Sequence, residues 1–578
     1  MLCHMNEHPG IIIERIDDIP LLLAMMEQLQ LPETLDKHLG NHGHQRGVSN
    51  GWVATIWLVF ILSEGKHTKM HVQEWVEKRW HLLSELSGQT LRLEDFSDDR
   101  LTLVLRRLSD LTKWHGIESE LWTFAAVVHE VALNGVRLDS TTSFGYHTVH
   151  EEGLMQHGHS KDHRPDLPQL KLMMAVAEPA GEPMACDVHS GESADDPLYL
   201  PLIERVRALV GGRSLLYTGD GKMAARETRG DLITHGDNYL TVLPRTGKTA
   251  QAWETWLTPI VDGEQIATLV WREGELLGAG YEFVRSQEVT DAEGQKQVWD
   301  ERVQLVRSLA LARTETQRLH KRLEKATAAL NALTPPPGRG RRKFTDIDAL
   351  HTAIDQVLSR HRVQELLQVV IVTEEKQETR YIGPGRGSPN RPTRTETEVR
   401  YRITAVTQDT GAIARHQDRL GWRAYVTSLP DTNWSLTDSV VHYRAGHVVE
   451  QDFHALKDRP LGLSPLYVHR SDQITGMTHL LTLALRVLLL VQNKVRQALE
   501  QQGQTLTGLY EGQPGRVTDR PTGQRILRAF ARAELTRVGM EMEGQRLWQL
   551  TPLPPLLIQV LALLDVPNHV YFQLGNSP

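Results

Sequence analysis

The sequence predicts an α/β protein with helical segments at both ends. Three observations carry that reading. Apolar residues recur with helical spacing through the first 130 positions, strand-like alternation begins near 131, and long helical runs return after 436. The chain has 578 residues, enough at roughly 150 per domain for three or four domains. Hydrophobic residues make up 40% and charged residues 24%, so apolar surface for a core is ample. The formal charge of −8 excludes a uniformly basic nucleic-acid coat. Two cysteines, Cys3 and Cys186, exclude a disulfide scaffold and a four-thiolate zinc site, and point to a reducing compartment. The longest apolar runs, 52–62 and 480–491 (the second broken by Arg486), fall short of the roughly 18 residues that span a bilayer. The first residues lack the charged-then-apolar design of a signal peptide. The expectation is a multidomain cytoplasmic protein without a membrane span.

Each element follows in order. In 1–130, the run Leu21 to Met26 and the run 52–62 are separated by polar turns. Asp98 and Asp99 precede Leu101, Leu103, Val104, Leu105 and Leu108, a helical face with acids at its dipole-positive end. From 131, Val136 and Leu138 alternate with Arg137 and Asp139, and Ser140-Thr141-Thr142-Ser143 reads as the turn that ends a strand. Further strands are expected at 170–177 and 214–218, with a helix at 201–210 between them. The region 246–435 differs in texture, with strand candidates at 281–284 and 399–406. A long helix interrupts it: Leu305, Leu309, Ala312, Thr316, Leu319, Leu323, Ala326 and Leu330 are spaced four-three-four-three, a heptad seam that Pro335-Pro336-Pro337 ends. After 436, helices are expected at 439–457 and 474–499. The chain then divides into a helical domain at 1–130, an α/β core at 131–245 and 436–500, an inserted domain at 246–435 and a tail at 501–578.

Acids are too common for one to be informative alone, so position must select among them. Asp139 and Asp220 each end a strand candidate, and ligands gather at the carboxyl ends of strands in such sheets. Tyr443, Glu450 and Lys457 are seven apart and nearly superpose along one helix face, beside the apolar stripe Val449, Phe453 and Leu456. Three acids from two strands and a helix supply the oxygen ligands that hard divalent cations take. Paired magnesium ions in such a site perform phosphoryl transfer on a phosphodiester. A turn, a cap and an amphipathic helix edge are the bland uses of the same residues. The rival chemical reading is a zinc hydrolase built on His147, His150, His157, His159 and His163, although no His-Glu-x-x-His pair is present and Gly153 and Gly158 make the run loop-like.

Four blocks carry a resemblance. They are Val136-Arg137-Leu138-Asp139-Ser140-Thr141-Thr142, then Gly158-His159-Ser160-Lys161-Asp162-His163-Arg164-Pro165-Asp166-Leu167, then Tyr217-Thr218-Gly219-Asp220-Gly221-Lys222-Met223, and Tyr443 through Lys457. Together they resemble DDE transposases of bacterial insertion sequences, in the sixteen-thirty-four branch of the insertion-sequence-four superfamily. The resemblance implies an RNase H-like catalytic core interrupted by a largely β insertion domain with a long helix, preceded by a helical N-terminal domain that binds the element ends. It implies Asp139, Asp220 and Glu450 as catalytic metal ligands for Mg2+, with Mn2+ as a substitute. Tyr443 and Lys457 fall on the family's tyrosine and lysine and would contact DNA. The family's arginine would fall on Gly446, which leaves Arg444 as a nearby replacement. Lys457 would hold a phosphate beside the scissile one; its bland use is a surface pair with Asp452 or Asp458. The partners implied are the terminal repeats and target DNA, both double-stranded, and a second copy of the chain. The activity implied is cut-and-paste transposition. A transposon-derived DNA-binding protein without catalysis is the alternative that an activity assay separates.

Between 301 and 343 there are 11 Lys and Arg against 3 acids, a local +8 that ends in Arg339, Arg341, Arg342 and Lys343. Clustered positive charge binds DNA phosphates by releasing counterions; a solvated helix and linker is the competing use. Replacing those four residues with Gln should weaken DNA binding alike across sequences and flatten its salt dependence. A salt slope equal to wild type would return the segment to a linker.

Overall fold

The computed structural model describes residues 11–41, 46–128, 133–290, 294–336, 343–384, 390, 392–542 and 545–575. Cys3, Arg339, Arg341 and Arg342 lie outside the described residues. In chain order, β1 (Ile12–Arg15) leads into α1 (Ile19–Gln28), α2 (Leu31–Leu39), α3 (Asn50–Glu64), α4 (Val72–Glu77), α5 (Trp80–Ser87), α6 (Asp98–Leu108) and α7 (Leu111–Val128). Then come β2 (Leu133–Phe144), β3 (Gln169–Pro179), β4 (Glu182–Ser190), α8 (Tyr199–Val210), β5 (Leu216–Gly219), α9 (Arg226–Thr234) and β6 (Asn238–Leu243). Next are α10 (Gly247–Val261), β7 (Thr268–Arg272), β8 (Glu275–Thr290), β9 (Lys296–Ser308), α11 (Leu309–Leu333), α12 (Ile347–His361), β10 (Leu367–Tyr381), β11 (Thr393–Gln408), α13 (Thr410–Asp418) and β12 (Trp422–Thr427). The last elements are α14 (Leu436–Arg444), α15 (His447–Lys457), α16 (Ser471–Gln502), β13 (Leu506–Thr507), β14 (Val517–Thr518), α17 (Gly523–Arg532), β15 (Thr536–Met542), β16 (Gln545–Leu550), α18 (Pro555–Leu563) and α19 (His569–Phe572).

The chain packs as two compact units. One holds 1–241, 287–299 and 442–578; the other holds 242–286 and 300–441. The boundaries drawn from sequence at 130 and 500 therefore fall inside the first unit. Its sheet runs in the order β4-β3-β2-β5-β6. The pairs β4-β3 and β3-β2 are antiparallel, whereas β2-β5 and β5-β6 are parallel. Parallel neighbours need a crossover, and α8 and α9 supply it on the way into β5 and β6. Strand β2 runs on to Phe144, five residues beyond Asp139. The Ser140–Ser143 run is thus strand and not turn. Its β-branched threonines suit a pleated surface, and β3 pairs with it out to Phe144↔Gln169.

The core of the first unit is one continuous cluster that reaches from Ile16 to Leu574. At its centre lies α16, which by length and composition could cross a membrane, with a mean hydropathy of 1.8 over its most apolar window. Sequence reading missed this because Arg486 breaks the consecutive run. In the fold, 94% of that window is buried inside protein, so α16 is a core helix along that stretch. Gly476 permits its approach to α6: a Cβ there would stand 2.0 Å from the Leu105 carbonyl oxygen. Thr478 and Thr482 of α16 are paired locally, their hydroxyls donating to the carbonyls four residues earlier at 2.9 Å, while Arg486 donates to the Met184 carbonyl at 3.0 Å. The tail joins the same unit. Strand β15 pairs with β1, and buried Arg537 donates to Glu14 at 2.9 Å and Glu85 at 2.5 Å. Glu14 in turn accepts from the backbone of His81 at 2.8 Å in the first turn of α5, where the dipole favours an anion.

In the second unit the strand order is β12-β9-β8-β7, beside a separate two-stranded ribbon of β10 and β11. The heptad positions Leu319, Leu323, Ala326 and Leu330 are buried against Leu350, Ala353 and Ile354 of α12 and against Ile403. They make a helix-packing seam inside one chain. Leu305 belongs to β9 and Leu309 is 45% exposed, so the seam begins later than its spacing predicts. Lys343, the described member of the basic stretch, is exposed and pairs with Glu398 at 3.5 Å.

His479 of α16 stacks on Trp114 at 4.0 Å between ring centroids, and its Nδ1–H donates to the Leu108 carbonyl at 2.8 Å. Burial lowers its pKa from 6.5 to about 3. The unfolded chain therefore binds a proton below pH 6.5 that the folded chain refuses. Stability should be whole above pH 6.5 and fall as pH drops toward 3, by up to about 1.4 kcal/mol per pH unit. Buried Glu118 and Glu182, pushed up to about 7 by desolvation, slope the other way in both proteins and cancel in a comparison. Denaturant titrations of wild type and His479→Phe should diverge by one proton's slope between pH 6 and 4; parallel curves would refute a neutral buried imidazole.

Candidate active site

The pairing of β2 with β5 builds the site. Leu138 lies opposite Gly219 in this parallel register, so Asp139 and Asp220 follow side by side from adjacent strands. Neighbouring strands stand about 4.8 Å apart, which puts two carboxylates within mutual reach. Each is held by local donors. Asp139 Oδ1 accepts from the backbone N–H of Ser140 at 2.7 Å. Asp220 Oδ1 accepts from the Tyr199 hydroxyl at 2.7 Å and from the Lys222 N–H at 2.8 Å, and Thr241 Oγ1 donates to its carbonyl at 2.7 Å.

Glu450 arrives on α15 and is exposed. The sequence predicts one helix over 439–457, but the chain breaks between Arg444 and His447, so Tyr443 belongs to α14 and only Glu450 and Lys457 share a helix. Tight turns make the break: Ala445 N–H donates to His442 O at 3.1 Å and Gly446 N–H to Tyr443 O at 3.2 Å. Beneath it lies Arg137, buried on β2, bonded through Nε to Glu178 at 2.7 Å and through Nη2 to His442 O at 2.8 Å. Gly446 leaves room for that guanidinium, since a Cβ would stand 3.1 Å from Arg137 Nη1. His442 Nε2 lies 3.0 Å from both Glu178 and Thr218 Oγ1. Burial pushes the Glu178 carboxyl up, but the His442 bond and the Arg137 charge outweigh it and hold it below the ordinary range.

Electrostatics show which acids share the site. Burial raises the Asp139 carboxyl from 3.8 to about 6; Lys161 and the Ser140 N–H pull it down, and the charges of Asp220 and Glu450 push it up. Asp139 thus feels both other carboxylates, that of Glu450 across 311 residues of sequence. Lys161 Nζ stands 3.6 Å from Asp139 and donates to the Ser140 carbonyl at 2.6 Å, placing a positive charge against the acids. Tyr199 is buried, and its hydroxyl is raised well above 10 by burial and by Asp220 and Asp139. It stays a proton donor to Asp220.

Lys457 does not pair with Asp452, which is buried, or with Asp458, which lies 3.6 Å from His454. Its ammonium is bonded to Asp162 and donates to Thr141 Oγ1 at 3.1 Å. Lysine and aspartate are both largely buried, so the pair ties α15 to β2 and the 158–167 loop. Sequence reasoning quoted Lys161 and Asp162 within a block without assigning them a task. It missed Tyr199, Arg137, Glu178 and His442, for which spacing carries no signal.

The donor set fits a divalent cation: three carboxylates, none fully buried, of which Asp139 is costly to ionise without a counter-charge, first because it is desolvated and then because Asp220 and Glu450 repel it. The expected convergence stops short of closure. Among the described residues no three His, Cys, Asp or Glu side chains form a metal-holding group. Like charges with no cation between them stay apart, and here Asp139 faces Lys161 while Asp220 faces Tyr199. Nor do the histidines His147 to His163 form a metal-holding group, so the zinc reading is not favoured. His147 Nε2 lies 3.1 Å from the Leu466 carbonyl, and its ring packs at 5.1 Å against His469.

A family model described as "Transposase DDE domain" matches residues 134–487, which contain Asp139, Asp220 and Glu450. A second, described as a domain of unknown function (DUF4277), matches 11–116. No curated protein matches the chain. Among solved structures, the cryo-EM structure of a piggyBac transposase synaptic complex with hairpin DNA aligns with a TM-score of 0.36 and 8% identity, covering 91% of this chain and 82% of that one.

Breaking one side of a largely buried ion pair strands the other charge, at about 3 kcal/mol. Lys457→Met should therefore destabilise the protein by that order, and Lys457→Met with Asp162→Asn should recover most of the loss. Chemical denaturation of the four proteins in this cycle measures the coupling; additive costs would mean that the pair holds nothing together.

Proposed function

Because the chain belongs to the transposase DDE-domain family, we propose that it is a DNA transposase that excises a bacterial insertion sequence and joins it to a new site. The observation that carries this reading is the β2–β5 register that sets Asp139 beside Asp220 inside the family-matched segment, with the Glu450 charge reaching Asp139. The mixed sheet β4-β3-β2-β5-β6, with one acid on β2 and the next just past β5, supports an RNase H-like core. The 158–167 and 443–457 blocks support the sixteen-thirty-four branch of the insertion-sequence-four superfamily.

Asp139, Asp220 and Glu450 would hold Mg2+, with Mn2+ as a substitute. When bound, the divalent ions lower the pKa of the attacking water and stabilise the leaving oxygen of a phosphodiester. The chain's own residues prepare that site. The β2–β5 register sets the spacing of two acids, and the turn at Gly446 delivers the third. Lys161 offsets their repulsion beforehand, and the Tyr199 hydroxyl orients Asp220. Tyr443 and Arg444, at the end of α14, contact the DNA flanking the scissile phosphate, while Lys457 positions α15 through Asp162. Hydrolysis frees a 3′-hydroxyl, which then attacks the target phosphodiester. No protein nucleophile is consumed, so no reactive Ser or Tyr is needed. Two terminal repeats must be cut together, which calls for a homodimer on double-stranded DNA in the bacterial cytoplasm.

The test is cleavage of DNA carrying the flanking repeats, with and without Mg2+. Asp139→Asn, Asp220→Asn and Glu450→Gln should each abolish cleavage and leave end binding intact, because each removes a ligand charge at nearly constant shape. Mg2+ should also raise the melting temperature of wild type and lose that effect in each variant. A variant that cleaves at close to the wild-type rate is not a ligand, and three such variants would end the proposal.

A further inference from the structure

A cleft of about 270 Å3 opens in the first unit where the end of α3, the segment after α15 and the helix α17 meet. Lys66, Arg459 and Arg528 line it. All three are exposed, and none of their side chains has a hydrogen-bond or ion-pair partner among the described residues. The acids at the cleft are already engaged. Glu64 accepts from Trp75 Nε1 at 2.8 Å and from Arg79 at 3.1 Å. Asp18 accepts from the Ser63 hydroxyl at 2.6 Å and is fully buried, which pushes its carboxyl up to about 7.

The positive face continues along α17. Ile526, Leu527 and Phe530 dock the helix, while Arg525, Arg528 and Arg532 recur at three and four residues on the exposed side. Arg516 and Arg525 both lie over the Tyr510 ring, at 4.0 and 4.4 Å. Arg532 donates to the carbonyl of Leu509 at 3.1 Å. A ring face or a carbonyl holds a guanidinium in place without cancelling its charge. From 513 to 532 there are five arginines against one acid, Asp519, in a chain whose net charge is −8. Cations so arranged repel one another, and a polyanion relieves that repulsion. Helix α17 has 10 residues and is about 15 Å long, a length over which duplex DNA presents several phosphates.

We propose that Lys66, Arg459, Arg528 and the arginine edge of α17 form a docking surface for the phosphate backbone of duplex DNA, bound without regard to base sequence. This rests on the transposase reading and adds to it a DNA-binding face whose α17 edge, beginning at Gly523, lies outside both family-matched segments, while Lys66 and Arg459 lie inside them. Cations on phosphates set position and carry no sequence information.

The test uses the full chain, with a duplex carrying the terminal repeat and an unrelated duplex of equal length, from 50 to 200 mM salt. In the triple variant Lys66→Gln, Arg459→Gln, Arg528→Gln, the slope of log affinity against log salt should fall by about 2 to 3 on both duplexes, at about 0.9 for each phosphate no longer neutralised. Melting temperature should stay at the wild-type value, because all three side chains are exposed. The charge-keeping triple Lys66→Arg, Arg459→Lys, Arg528→Lys should keep the wild-type slope, and single Arg528→Glu should lower affinity for both duplexes. A Gln triple with the wild-type slope overturns the proposal, as does a weakening confined to the repeat duplex. An acidic protein partner would leave both slopes unchanged. Wild-type protein that binds neither duplex would instead overturn the transposase reading on which this rests.

Discussion

The parallel pairing of β2 with β5 is the constraint on which the candidate site depends. Two positions that carry mutually repelling carboxylates must be held side by side, and a rigid backbone ladder does that while the side chains themselves lean toward Lys161 and Tyr199. The register Leu138↔Gly219 performs this task, and the antiparallel pairing of β2 with β3 stiffens the same strand from its other edge. The cost shows at Asp139, whose carboxyl is raised to about 6 by burial and by its acidic neighbours. Lys161 and the Ser140 N–H offset part of that cost, and the Tyr199 hydroxyl donates to Asp220 beside it. A site of this kind is prepared for positive charge before any arrives.

The third acid depends on ionic latches at both ends of α15. At its start, Arg137 and His442 close on Glu178 beneath the turn at Gly446, and at its end Lys457 closes on Asp162. Buried ion pairs contribute little net stability compared with apolar packing, but removing one partner is costly. Such pairs therefore specify where a helix sits more than they hold the fold together. Glycine at 446 suits that arrangement, because a Cβ there would press within 3.1 Å of Arg137 Nη1. An arginine expected at 446 from the family pattern is absent, and a guanidinium from β2 stands beside that position.

The stability of the first unit comes from elsewhere. Helix α16 is buried along most of its length, and helices from both ends of the chain pack around it in one continuous cluster. The final 78 residues, polar in texture at their start, are anchored through β15, Arg537 and Glu14 to the first strand of the chain. That closure also brings Arg528 to the same cleft as Lys66, 462 positions earlier.

Much of this was legible in the residues. Helical periodicity at 98–108, the α8 stripe, the apolar character of α16 and the acids of the four motif blocks are properties of short segments, where spacing and side-chain type decide the outcome. Sequence also selected Asp139, Asp220 and Glu450, and in the fold the charges of the last two reach Asp139. What tertiary structure alone decided is everything that joins distant segments. Ser140–Ser143 became strand because β3 was there to pair with it. The predicted 439–457 helix broke at a turn seated on Arg137. Lys457 found Asp162, 295 residues away, and not a neighbour on its own helix. The heptad seam of α11 closed on α12 within the same chain. The physical reason is common to all four: local pattern sets which conformations a segment can adopt, whereas the partner for each exposed hydrogen bond, charge or apolar face is supplied only when the chain returns to it.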